Sequence, residues 1–155
     1  MTREEVHEAL ATSPVSFLKT EEAEYPTDEF RQHGLHVYYA GAYPAVEFVE
    51  VHSAAAIRFT LFGIDVFGTP ASDLLVVASQ HGSFKADDAE PGSYTCMSLS
   101  LCLWRSDDPI GLERELEALR PELDAEEIQL YERDIARLGF FESVGCGVPE
   151  YYVET

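Results

Sequence analysis

Lysine is almost missing from this chain. Only Lys19 and Lys85 occur in 155 residues, and eight arginines raise the cations to 10 against 29 Asp+Glu, a net charge of −19. A protein so poor in cations is a weak ligand for phosphate backbones, because nucleic-acid affinity comes largely from Lys and Arg replacing condensed counterions. Anionic membrane surfaces are disfavoured by the same sign. Neither nucleic acid nor membrane is therefore an expected partner. No window approaches the ~18 apolar residues of a spanning helix. The start Met1-Thr2-Arg3-Glu4-Glu5 has no apolar segment of the signal-peptide kind. Three cysteines, an odd number without C-x-x-C spacing, argue against a disulfide scaffold. A reducing cytoplasm is the expected compartment.

Recognisable catalytic signatures are missing too. There is no G-x-S-x-G elbow, no phosphate-binding loop, no dinucleotide fingerprint and no H-E-x-x-H pair. The five histidines, His7, His33, His36, His52 and His81, include no i, i+4 pair. His33 and His36 lie three apart at a loop-to-strand junction, where their side chains need not converge. Cys146 sits between two glycines with no neighbouring His to activate it. No catalytic residue, metal ligand or cofactor is assigned on this basis.

What is present is ordinary globular composition: 46% hydrophobic and 25% charged residues. The length suits one domain. Residues 1–33 carry a net −5, residues 34–106 a net −4 and residues 107–155 a net −10. These stretches read as an N-terminal helix and loop, a strand-rich centre, and an acidic helical region with a tail.

Thr2 and Glu5 have capping-box spacing and predict a short helix to about Ala11. Residues 19–33, polar and interrupted by Pro26, read as a loop. Leu35–Tyr39 predicts a strand. Ala45–Val51 and Ile57–Phe62 predict a hairpin that sets Glu50 opposite Arg58 as a cross-strand ion pair. Gly63–Phe67 reads as a short strand, and Thr69-Pro70 predicts a helix running to about Gln80. Tyr94–Trp104 reads as one long strand, bulky at odd positions and small at even ones, which implies a helix against the small side. Asp108-Pro109 and Asp124 start two helices. Leu112, Leu116 and Leu119 line the first, and Ile128, Tyr131, Ile135 and Leu138 line the second. Gly139 would close the second. The Tyr151-Tyr152-Val153 tail would pair at an edge.

These elements predict a single α+β domain. Its sheet is mainly antiparallel, with about four to six strands and the helices packed on one side. The expected core is Val37, Phe48, Phe59, Leu61, Leu74, Leu99, Leu101, Leu116, Ile128, Ile135 and Leu138.

Three stretches together resemble known proteins: Gly63–Leu75 (GIDVFGTPASDLL), Leu99–Arg105 (LSLCLWR) and Phe140–Tyr152 (FFESVGCGVPEYY). They are similar to segments of small acidic bacterial proteins of immunity-protein type, in which they are structural and name no activity. The resemblance implies an inhibitor that neutralises a basic toxin domain. Net charge points the same way, since a basic protein partner would be attracted and steered. Glu113, Glu117, Glu127 and Asp134, in rows on the acidic helices, are then the expected partner-binding residues. A second expectation is a small-molecule or sensory module with Trp104 and Arg105 at its pocket. The competing reading of that pair is a rim aromatic with a stacked or ion-paired arginine. An enzyme with a dispersed site is a third.

Overall fold

Antiparallel strands with one apolar and one polar face form the centre of the fold, and helices cover the apolar side. The computed structural model describes residues 1–53 and 58–152. Helix α1 (Arg3–Leu10) is followed by β1 (Val15–Phe17), β2 (Thr27–Phe30), β3 (Leu35–Ala40) and β4 (Ala45–His52). Next come β5 (Thr60–Leu61), β6 (Ile64–Asp65), α2 (Ala71–Ala78), β7 (Lys85–Ala86), β8 (Ser93–Cys96) and β9 (Leu101–Trp104). Helices α3 (Pro109–Leu119) and α4 (Ala125–Leu138) precede β10 (Ser143–Gly147). Eight strands form one sheet in the order β1-β2-β3-β4-β10-β9-β8-β7, while β5 and β6 pair separately. Every pairing is antiparallel. The fold class is α+β as expected, but the sheet exceeds the four to six strands foreseen.

The extra strands are those with weak local signals. β2 falls in the stretch 19–33 where Pro26 and polar residues read as loop, β1 is a three-residue strand just before it that carried no signal, and β7 is two residues long. β10 carries Gly145 and Gly147, poor strand formers by propensity, yet it fills the middle of the sheet between β4 and β9. A Cβ built on Gly145 would run into Phe48 Cζ and Cys102 Sγ. Only glycine lets the Phe48 ring lie across that strand. The tail is no edge strand: Tyr151 folds back and stacks on Phe48 at 4.8 Å between ring centroids. Val153 lies outside the described residues.

Three other expectations change. The segment 94–104 is two strands, turned by a 3-10 turn at Met97–Leu99 and by left-handed Ser100 (φ 50°), with β8 and β9 paired. The hairpin 45–62 does not form, because β4 pairs with β3 and β10 instead. Arg58 Nε donates to Asp65 Oδ2 at 2.9 Å, not to Glu50. The proposed turn at Ala54 lies outside the described residues. Helix α2 begins after Pro70, which occupies the cap position expected of Thr69.

The capping boxes are as read: Thr2 with Glu5, and Asp124 with Glu127. Asp108 caps α3 with Pro109 behind it. Gly139 caps α4 in a right-handed conformation (φ −63°).

The main core joins Val51, Leu103 and Val144 of the sheet to Val66, Ala71 and Leu74 of the α2 region and to Phe141. Helix α2 thus packs on the bulky side of β9, not on the small side. A second cluster sets Val6 of α1 against Phe30, Val37 and Tyr39. Of the expected core, Val37, Phe48, Leu74, Leu101, Leu116 and Leu138 are buried. Phe59, Leu61, Leu99, Ile128 and Ile135 are only half-buried. No described helix is long and apolar enough to cross a membrane.

Candidate functional site: a cleft on the polar face of the sheet

Strand alternation sends His36 and Tyr38 of β3, Phe48, Glu50 and His52 of β4, Ser143 of β10, and Cys102 and Trp104 of β9 to one face. The register aligns them: His36 lies opposite Glu50, Ser143 opposite both His52 and Trp104, and Gly145 between Glu50 and Cys102. The buried helix-packing residues Val37, Val51, Leu103 and Val144 occupy the alternate positions. On the polar face a cleft of about 630 Å³ is lined by most of these groups. Lys19, Asp87, Glu90, Ser93, Tyr151 and Tyr152 complete its rim. Aromatic planes with a few convergent polar groups are the usual make-up of a ligand site.

Glu50 is the centre of the polar floor. Ser143 Oγ donates to its Oε1 at 3.0 Å and Tyr38 OH to its Oε2 at 3.0 Å. Both imidazoles stand beside that second oxygen, His36 Nδ1 at 3.9 Å and His52 Nε2 at 4.0 Å. The two rings share a hydrogen bond, His52 Nε2 to His36 Nδ1, at 3.3 Å. Behind His36, its Nε2 lies 3.9 Å from Glu29 Oε1. Arg31 Nε donates to Glu29 Oε2 at 3.1 Å and holds that carboxylate. On the far wall Trp104 Nε1 donates to Glu90 Oε1 at 3.1 Å. Lys19 Nζ lies 4.7 Å from the centre of the Tyr38 ring, the usual cation–π approach.

Burial, and then the neighbouring Glu50, pushes the Tyr38 phenol well above its ordinary range. Tyr38 is therefore a neutral donor. Burial, then the facing His52, pulls His36 below the usual histidine value, which favours a neutral imidazole. Burial raises both the Cys102 and Cys146 thiols. Burial thus favours the protonated thiol at both positions.

The residues singled out in the sequence are dispersed. Trp104 lines the cleft, but Arg105 points to the opposite face and is 8% exposed. Arg105 Nη1 donates to Leu138 O at 2.8 Å, and its guanidinium lies over Phe141 at 5.9 Å. It fastens the end of α4 to the sheet and shares no pocket with Trp104. Glu113 and Glu117 of α3 are exposed and make no hydrogen bond or ion pair among the described residues. Glu127 is exposed, but its Oε2 accepts from Asp124 N at 2.9 Å. Asp134 is half-buried and stands 4.0 Å from Arg137 Nε.

Sequence reasoning missed Glu50, His36 and His52 as a group. A signal did exist: His36 and Tyr38, and Glu50 and His52, recur at period two on adjacent strands. Assigning β4 to the wrong partner concealed it. Comparison of the chain with protein-family models, curated proteins and solved structures finds no match.

Proposed function

We propose that this chain is a small-ligand binding module that receives its ligand in the cleft over β3, β4, β10 and β9. One observation carries this reading. The middle of an eight-stranded sheet has one face packed by α1 and α2, and the other bears a concave, hydrogen-bonded polar floor walled by Tyr38, Phe48, Tyr151, Tyr152 and Trp104. A face meant only for solvent does not need its carboxylate held by two hydroxyls. Glu50, Asp87 and Glu90 outweigh Lys19 along the lining, so the fitting ligand is compact, neutral or cationic. Hydroxyl or amine groups would meet Glu50, and a flat or apolar side would meet the aromatic rings.

Trp104 is the chain's single tryptophan, so its emission reports on this wall alone. Titration of a panel of small amines and polyols is expected to shift Trp104 emission saturably for at least one class. Glu50→Gln should weaken that ligand by roughly tenfold or more, because a hydrogen bond to a charged group is worth about 1.5–3 kcal/mol. Emission that ignores the whole panel, or an affinity unchanged by Glu50→Gln, refutes the reading.

A second reading, an immunity-type inhibitor of a basic toxin domain, is favoured by the exposed Glu113 and Glu117 and the −10 carried by residues 107–155. Reversing Glu127 would also break a helix cap worth about 1 kcal/mol, so the clean test reverses only Glu113 and Glu117. With a basic domain encoded beside this chain, association is expected to slow as salt rises and in the double Glu→Lys variant. An on-rate indifferent to both rejects it.

A further inference from the structure

We propose that His36, His52 and Glu50 form the binding site of one divalent first-row transition ion, zinc being the reference case, at the floor of the cleft. The inference deepens the reading of that cleft as a ligand site and rests on it for the ion's purpose, though not for its geometry.

The three donor atoms are His36 Nδ1, His52 Nε2 and Glu50 Oε2. Their separations are 3.3, 3.9 and 4.0 Å. A triangle of that size has a point about 2.2 Å from every corner, against ~2.0–2.2 Å for zinc bonds to histidine nitrogen and carboxylate oxygen. At that point the ion would lie in the plane of the donors; a tetrahedral ion needs separations of about 3.4 Å, so Glu50 Oε2 must close on the two imidazoles by roughly 0.5 Å, a shift that a side-chain torsion supplies. Among the described residues this is the one group of three or more His, Cys, Asp or Glu side chains so placed. Imidazole with carboxylate suits zinc, cobalt, nickel and copper better than magnesium or calcium, which prefer all-oxygen shells.

The backbone holds the set rigidly. His36 and Glu50 face each other across the β3–β4 ladder, and His52 follows Glu50 by one pleat on the same side. Supporting groups stand where a metal site needs them. Ser143 Oγ occupies Oε1 of Glu50, which leaves Oε2 toward the imidazoles. Tyr38 OH also reaches Oε2, and a carboxylate oxygen has lone pairs for both partners. His36 has its other nitrogen 3.9 Å from Glu29 Oε1, beyond hydrogen-bond reach, so a small rotation of Glu29 would complete the carboxylate–histidine pairing that fixes a ligand's tautomer. Binding requires both donor nitrogens to be unprotonated. The His36 proton then sits on Nε2, facing Glu29, and the His52 proton on Nδ1. Three protein ligands leave a tetrahedral ion with a fourth position. Glu50 and His52 both line the cleft, so an amine or hydroxyl of the cleft ligand can take it.

The test uses the full chain after chelator treatment, titrated with zinc chloride and, separately, cobalt chloride. One equivalent of zinc is expected to bind per chain at micromolar concentration or below. The cobalt form should show the visible bands of a four-coordinate nitrogen–oxygen site. His52→Gln should weaken zinc by at least ~100-fold and Ser143→Ala by about 10-fold, since supporting partners are worth 10–100-fold. His33→Gln, in the turn before β3, should leave it unchanged. Wild-type binding weaker than millimolar, an octahedral aqua-like cobalt spectrum, or zinc affinity unaffected by His52→Gln each overturns the proposal. The cobalt spectrum needs no variant, so a folding defect in His52→Gln cannot hide the answer. If Trp104 emission responds to a cleft ligand equally with and without chelator while zinc does not bind, the metal site fails and the cleft reading stands.

Discussion

Replacing Asp28 by alanine is expected to lower stability by about 3–5 kcal/mol, the usual cost of removing one partner from a buried ion pair. For a chain of this length that is a fall in melting temperature of roughly 6–20 °C. Asp28 belongs to β2, has no exposed side-chain surface and meets Arg3 and His7 of α1. Arg3 holds it with two hydrogen bonds, Nε to Oδ2 at 2.8 Å and Nη2 to Oδ1 at 2.7 Å. Ser16 Oγ donates to Oδ1 at 2.6 Å, Tyr39 OH donates to Oδ2 at 3.1 Å, and His7 Nε2 lies 2.6 Å from Oδ2. Burial by itself would raise the Asp28 pKa, but the bonds from Arg3, Ser16 and His7 outweigh it and hold the carboxyl far below the ordinary range. Its folded pKa therefore lies under the unfolded value of about 3.9. The stabilisation is complete above that value and drains away as pH falls below it. The gap between thermal melts of wild type and Asp28→Asn should accordingly begin to narrow as the pH drops under about 4 and go on narrowing down to the much lower folded pKa. A gap between them that stays constant through that range would show that ionised Asp28 does not pin α1 to the sheet.

Leu103→Asp is expected to abolish the cooperative melt altogether. Leu103 is fully buried among Val51, Leu74, Phe141 and Val144. A carboxylate there has no partner, and the lost packing adds to its desolvation. Together these cost on the order of 5 kcal/mol or more, against a total stability of about 5–15 kcal/mol. The neighbouring Cys102→Ser faces the cleft and should cost about 1 kcal/mol or less. Circular dichroism melts of the two variants measure the alternation directly. Similar melts for both would disprove the assignment of one packed and one open face.

That alternation also explains what could be read in advance. Leu101 and Leu103 announced a strand, and within β9 the bulky side was separated from the small one; in β8 the phase is the reverse of the expected one, because the turn at Met97–Ser100 sets Tyr94 and Cys96 beside the leucines and Thr95 beside Cys102. Which side met a helix depended on where α2 returned, and nothing within β9 encodes that. The cappings of Thr2, Asp108 and Asp124 were legible because a helix start is decided by four or five consecutive residues. β2 was not, because its defining residue, Asp28, is buried by partners drawn from α1, β1 and β3. An isolated Asp in a polar stretch carries no sign of such partners. The floor of the cleft was hidden for the same reason. Glu50 reads locally as one end of a hairpin ion pair. Only the pairing of β4 with β3 and β10 brings it to His36, Tyr38 and Ser143.

The central position of β10 has a consequence for how the chain is made. Among the described residues this strand is last in sequence, yet it joins β1–β4 to β7–β9. While the chain is still emerging from the ribosome, two separate half-sheets can form, each with an unpaired inner edge. Neither has a finished cleft, since Glu50 lies on one half and Trp104 on the other. Long-range strand pairing of this kind is slow, and open edges invite association with other chains. Competence to bind in the cleft would therefore arise late and abruptly, when the last strand slots between the halves.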